Sequence, residues 1–183
     1  MEKNFIIAGF GGQGVLLAGE VLATAFMLAG KKVTWYPSYG AEMRGGTVNC
    51  EVVASDEEVS AVNKLNTDFI VALNQASFEK FLKKIKKGGV MIANSSLVKE
   101  LKNRTDINYL FAPITKLAED LGNIKMANIL ALGILAKASK MVSLEHLIDA
   151  LDRVLPPHRK NLLPLNIKAL KIGYEYDLLP AGA

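Results

Sequence analysis

The stretch FIIAGFGGQGVLLAGEVL, Phe5 to Leu22, decides the fold. A short apolar run from Asn4 to Ala8 meets a segment with four glycines in six positions, and Val15 to Leu28 then carries Leu and Ala at helical spacing. The pattern predicts a strand, a tight turn and a helix, with GFGGQG fitting G-x-G-x-x-G. In the dinucleotide form of this turn Gly9 permits the bend, Gly11 lets a pyrophosphate approach the main chain, and Gly14 lets the helix pack on the strand. Gly12 and Gln13 complete the turn, and the free N–H groups that open the helix favour an anion. That fingerprint also needs an Asp or Glu at the tip of the second strand, where this chain reads WYPSYG. Ser38 and Arg44 would imitate a 2′-phosphate site, so spacing leaves three readings open: a bound nucleotide, another anion, or a turn without ligand.

Beyond this unit, Lys32 to Tyr36 predicts a second strand and PSYGAEMRGG, 37–46, a loop, since its proline and three glycines resist regular structure. Thr47 to Val53 alternates, with Val48, Cys50 and Val52 on one face, and EVSAV, 58–62, is expected to pair nearby. Asp68 to Leu73 is a continuous apolar strand. Phe78, Phe81, Leu82 and Ile85 form one helical stripe, which predicts a basic helix from Gln75 or Ser77 to Lys87 closed by Gly88-Gly89. Strands follow at Val90 to Ala93 and Asn108 to Ala112. The chain then reads helical through Ala118, Met126 to Ala138, Ser143 to Leu151 with Ser143 as N-cap, and Ile167 to Tyr174. Alternating strands and helices predict an α/β, Rossmann-like, doubly wound, mostly parallel sheet with helices on both faces and a small antiparallel addition. One domain over 1–183 is expected, with a helical C-terminal arm from about 155 and a hinge at Leu155-Pro156-Pro157.

Composition narrows the function classes. Half of the 183 residues are apolar and 22% are charged, as in globular chains. Glu20 and Lys137 interrupt the longest apolar runs, and no cleavage-like signature follows the N-terminal strand, so a cytoplasmic protein without membrane contact is expected. One cysteine makes no internal disulfide and alone holds neither zinc nor an iron–sulfur cluster; it is expected in the core. The net charge of +4 comes mostly from lysines, five of which sit in FEKFLKKIKKGG and read as a solvated face; no aromatic residue interleaves them on the exposed side, so nucleic acid is not expected as a partner. His146 and His158 read as structural. The strand ends GFGGQG, YPSYGAEMRGG, Asn74-Gln75 and Asn94-Ser95-Ser96 would meet along one sheet edge, where such folds bind ligands. Glu42 and Arg44 would pair with each other or across a subunit boundary, and Gly45-Gly46 lets a neighbour come close.

GFGGQGVLLAGEVLATA together with YPSYGAEMRGGTVNCEVVAS resembles the gamma subunit of the 2-oxoacid:ferredoxin oxidoreductases, and the likeness continues through LNQASFEKF and, more loosely, KMANILALGIL. The resemblance implies a complex that oxidatively decarboxylates a 2-oxoacid with coenzyme A to acyl-CoA, carbon dioxide and reduced ferredoxin, with thiamine diphosphate, Mg and iron–sulfur clusters on alpha, beta and ferredoxin-like delta subunits. The loop ending SYGAEMRGG favours the 2-oxoglutarate and branched-chain members. The resemblance implies that this chain binds none of the cofactors alone and performs no chemistry itself. Gly9, Gly11, Gly12, Gln13, Gly14, Ser38 and Arg44 are then expected to receive the phosphates of coenzyme A. Tyr39, Glu42, Arg44, Gly45 and Gly46 are expected to contact other subunits. Two alternatives stay open: a purely structural assembly subunit, and a stand-alone NADP-binding reductase.

Overall fold

The computed structural model describes residues 1–39, 47–59, 66–99 and 104–177, the Tyr39 side chain excepted. Six strands form one sheet: β1 (Glu2–Phe10), β2 (Lys32–Tyr39), β3 (Thr47–Ser55), β4 (Thr67–Ala72), β5 (Ile85–Asn94) and β6 (Asn108–Ala112), in the order β2-β3-β1-β4-β5-β6. The helices are α1 (Val15–Leu28), α2 (Gln75–Phe81), α3 (Ile114–Asp120), α4 (Ala127–Ser139), α5 (Leu144–Val154) and α6 (Leu163–Glu175). Strands β1, β4, β5 and β6 run parallel, Phe5 lying opposite Phe69 and Ala8 opposite Ala72. This is the expected α/β sheet with helices on both faces, but the two layers are unequal. Phe5 and Ile7 face a large core shared with α1, α3, α4, α5 and α6, whereas Ile6 and Ala8 face a smaller one built on Phe78, Phe81 and Leu82 of α2 and its end.

The antiparallel addition lies inside the sheet rather than on its rim. Strand β3 pairs with β1 from Glu2↔Ser55 to Phe10↔Thr47 and with β2 from Lys32↔Ser55 to Tyr39↔Val48. It therefore occupies the position beside β1 where a Rossmann crossover would set its second strand. Both faces of β3 are covered: Cys50, Val52 and Ala54 join the α1 core, and Asn49, Glu51 and Val53 are buried on the other side. Cys50 is in the core as expected. Burial pushes its thiol up to about 12, although hydrogen bonds work against the rise. Gly19 of α1 fits closely over this spot, since a Cβ there would stand 2.9 Å from the Trp35 Nε1 and collide with the Cys50 sulfur.

Three boundaries depart from the sequence reading. The basic helix ends at Phe81, and Ile85 begins β5. The periodic stripe was real, but Ile85 serves the sheet: β5 goes from Ile85 to Val90 while β4 goes from Thr67 to Phe69, a bulge that Gly88 and Gly89 make possible instead of capping a helix. Gly88 has φ 75° and donates its N–H to Asp106 O at 2.7 Å. The lysines mostly bind their own chain: Lys80 reaches Thr47 Oγ1, Lys84 pairs with Glu51, and Lys86 pairs with Asp68. Strand β2 continues through Pro37 to Tyr39 because it is an edge strand, where a missing N–H costs no ladder bond. Glu58 and Val59 are not in a strand, and 60–62 lie outside the described residues.

The C-terminal segment packs against the body of the fold. After Val154 a 3₁₀ turn, Pro157–Leu162, leads into α6, which lies against α4 so closely that a Cβ on Gly133 would stand 2.7 Å from Tyr174 N and collide with Leu170 O. Helix α4 is buried all round from Asn128 to Ala136, as expected for a helix wrapped by neighbours. Ser143 caps α5, accepting from His146 N at 3.2 Å while its Oγ lies 3.0 Å from His146 Nδ1. That serine–histidine pair, missed in the sequence, belongs to the cap. No helix among the described residues is long and apolar enough to cross a membrane.

Candidate functional site

The glycine turn sits between β1 and α1, at the C-terminal edge of the parallel strands. Gly12 and Gly14 adopt φ of 94° and 70°, the left-handed region that disfavours a side chain. Gly9 is held by crowding instead: a Cβ there would be 2.7 Å from Gln13 Oε1 and 2.9 Å from Val15 Cγ2. Gly11 has open space around it. Gly14 serves α4 rather than β1. Asn128 donates to its carbonyl at 2.9 Å, and a Cβ on Gly14 would stand 2.9 Å from the Asn128 Cγ. The expected strand packing at Gly14 is thus replaced by packing on an amide far along the chain.

Gln13 folds back into the turn. Its Oε1 accepts from Phe10 N at 2.7 Å and from Asn74 Nδ2 at 2.9 Å. Asn74 Oδ1 in turn accepts from Ser77 N and caps α2. The next strand end repeats the device: Asn94 donates to Leu73 O at 3.0 Å and Thr115 Oγ1 at 2.8 Å, and accepts from Thr115 N and Ser96 N. The amides at the ends of β4 and β5 thus tie the edge from β1 to β6. Their polarity is spent on neighbours, as buried amides require.

On the other side of the turn lies a cleft of about 300 Å³ between Gly12, Gly14, the start of α4 and the 3₁₀ turn before α6. Lys125 and Arg159 line it, both exposed, and no acidic residue is among its lining residues. Asn128, 2% exposed, also lines it, and its Oδ1 has no hydrogen-bond partner among the described residues.

The structure brings Gly9, Gly11, Gly12, Gln13 and Gly14 into one turn. It does not bring Ser38 to them: Ser38 is opposite Asn49, which is opposite Ala8, so two strand spacings, about 10 Å, intervene. The insertion of β3 is the physical reason. The Tyr39 main chain pairs with Val48, while Glu42, Arg44, Gly45 and Gly46 lie outside the described residues. Among the described residues no cluster of three or more His, Cys, Asp or Glu is placed to hold a metal. Lys125, Asn128 and Arg159 were not singled out from the sequence; the one available signal was an amide at the head of the apolar run ANILALGILA.

Residues 4–176 match the pyruvate ferredoxin/flavodoxin oxidoreductase family. The chain is 35% identical over 182 residues to the 2-oxoglutarate synthase subunit KorC of Methanothermobacter marburgensis, covering 96% of each. It is 33% identical over 176 residues to the ketoisovalerate oxidoreductase subunit VorA of the same organism, and there it spans 36% of the longer protein. The gamma subunit of a keto/oxoacid ferredoxin oxidoreductase from Geobacter sulfurreducens superposes with a TM-score of 0.82 at 32% identity, over 94% of this chain and 96% of that one. A glycine turn on a sheet split by β3 is thus part of the fold shared with that gamma subunit, and the chain belongs to the pyruvate ferredoxin/flavodoxin oxidoreductase family as a gamma-type subunit.

Proposed function

We propose that the chain serves, in the cytoplasm, as the gamma subunit of a complex that oxidatively decarboxylates a 2-oxoacid with coenzyme A, giving acyl-CoA, carbon dioxide and reduced ferredoxin. Thiamine diphosphate, Mg and the iron–sulfur clusters belong to alpha, beta and ferredoxin-like delta companions. 2-Oxoglutarate is the favoured substrate, because a relative at 35% identity over 96% of its length is a 2-oxoglutarate synthase subunit. This chain's part is to dock its strand-end edge on the companions and to give coenzyme A a phosphate contact at the glycine turn. One observation carries that assignment: the turn keeps two left-handed glycines at the mouth of a 14-residue helix, while β3 displaces the strand tip from which a dinucleotide would take its ribose contact.

Reconstitution tests it. The companion subunits are assembled with and without this chain, and coenzyme A binding is measured by calorimetry alongside 2-oxoacid-dependent ferredoxin reduction. We expect weaker coenzyme A binding and lost turnover when the chain is omitted, with 2-oxoglutarate preferred over pyruvate and 2-oxoisovalerate. Equal coenzyme A affinity without it would leave a purely structural subunit, a reading favoured by the self-satisfied amides Gln13, Asn74 and Asn94. Turnover of NADPH by the isolated chain would overturn both.

A further inference from the structure

A phosphate contact at the glycine turn needs main-chain N–H groups that point one way before the ligand arrives, because ordering them on binding would cost affinity. The tip of the turn, Gly11 and Gly12, does not secure this alone. Both residues are exposed, a Cβ on either would meet nothing within 4 Å, and Gly12 sits at φ 94°. Glycine main chain without close neighbours has the widest conformational freedom of any residue. Gln13 braces it: its N–H donates to Phe10 O at 3.1 Å, while its side-chain Oε1 accepts from Phe10 N at 2.7 Å. Residues 10 and 13 thus exchange two hydrogen bonds, one through the main chain and one through the side chain, and fix both ends of the two-glycine tip.

The brace is itself locked. Asn74 is 2% exposed, and its Oδ1 accepts from Ser77 N at 2.9 Å, so its Nδ2 is left facing Gln13 Oε1, to which it donates at 2.9 Å. That donor settles which way round the Gln13 amide sits, with its oxygen toward Phe10 N. Gly9 makes the room: it does not have a positive φ, but a Cβ there would stand 2.7 Å from Gln13 Oε1. Gly12 and Gly14 line the cleft on the other flank of the turn and Gln13 does not, so its side chain acts on a ligand there through the main chain it holds. The geometry points to Gln13 as a positioning residue for coenzyme A: locked by Asn74, it holds the Gly11-Gly12 main chain in the conformation that meets the phosphates, and it makes no contact with the ligand itself. This role rests on the phosphate contact proposed for the turn.

The test uses the assembled complex, with the coenzyme A Kd read by calorimetry and kcat by ferredoxin reduction at saturating coenzyme A and 2-oxoacid. Gln13→Met keeps the length of the side chain and removes its acceptor. The Kd should rise about tenfold, the size of one good main-chain contact to a phosphate, while kcat stays within about twofold. Asn74→Ser keeps a hydroxyl to cap Ser77 N and removes the donor that locks Gln13. It should raise the Kd about threefold in the parent and by less than about 1.5-fold in the Gln13→Met background, since the two residues act in series. Asn74 is buried away from any ligand, so a Gln13 that touched coenzyme A directly would leave the Asn74→Ser Kd at the parental value and overturn the inference. An unchanged Kd in Gln13→Met, a kcat that falls as far as the affinity, or additive effects in the double variant also overturn it. Should Gln13→Met not assemble, the milder Asn74→Ser carries the test through its own split between Kd and kcat. If the Kd rises when the chain is omitted yet not in Gln13→Met, the positioning role fails while the role proposed for the chain stands; an equal Kd without the chain overturns both.

Discussion

Two regions of the same sheet edge, alike in composition, behave oppositely. At the ends of β4 and β5, Asn74 and Asn94 exchange hydrogen bonds with Gln13, Ser77, Thr115 and the Leu73 carbonyl, so their polar capacity is consumed inside the fold. On the other flank of the glycine turn, Asn128 has an acceptor without a partner, and Lys125 and Arg159 have no counter-charge, among the described residues. Polarity at a strand end does not mark a binding site. Nor does a buried atom without a partner by itself, since Ser77 Oγ at the start of α2 and Asn4 Oδ1 on β1 also have none among the described residues.

Four measurements break or sharpen this contrast. Gly14→Ala should have the largest effect, about 3 kcal/mol by denaturant unfolding, since a side chain at φ 70° is strained and its Cβ would press on Asn128. A loss under about 1 kcal/mol would mean that the turn tolerates a side chain, and the close seating on α4 would be wrong. Asn94→Leu should cost about 2 kcal/mol by removing hydrogen bonds that bridge β4, β5 and α3, while coenzyme A affinity of the assembled complex stays within about twofold. A selective loss of ligand binding there would erase the distinction between the regions.

A smaller effect is expected at the opposite end of the sheet, where charges are paired. Burial works against ionisation of Asp68, but Lys86, Lys3 and the Asn4 N–H outweigh it and hold the carboxyl below its ordinary value of 3.8. A carboxyl depressed in the folded state adds stability that is complete above that ordinary value and is lost as pH falls through the lower, folded one. Asp68→Asn should therefore cost about 1 kcal/mol at neutral pH, a modest figure because Lys3 and Lys86 are 30% and 41% exposed, and the difference from the parent should vanish in acid. A gap that persists unchanged at pH 2 would assign the effect to packing. Least of all, Lys125→Ser with Arg159→Ser should change stability by less than about 0.5 kcal/mol, because neither exposed cation is spent on the fold. A larger loss would mean that these cations hold the C-terminal segment in place.

What could be read from the sequence follows the range of the interactions. Strand β1, the turn and α1 were legible because each is fixed by near neighbours: an apolar run, left-handed glycines and a helical repeat. The limits of α2 were not, because Ile85 satisfies a helical stripe and a strand equally well and only its pairing with Thr67 decides. The entry of β3 between β1 and β2 is invisible to periodicity, and it is what carries Ser38 away from the turn. Asn128 meets Gly14 across 114 residues, so no local spacing could have joined them. The glycines of the candidate site were thus readable; the groups that give the cleft its charge and its unmet acceptor were not.

The central position of β3 also bears on how the chain comes to be folded. Until the β2–β3 hairpin arrives, the β1 segment Phe5-Ile6-Ile7-Ala8 offers a bare apolar border to any other extended chain. A nascent polypeptide delayed at that stage would be prone to aggregate, and the hairpin acts as the seal. The only tryptophan, Trp35, rides on that hairpin and rests against Gly19, so its fluorescence during refolding would time the moment the seal closes.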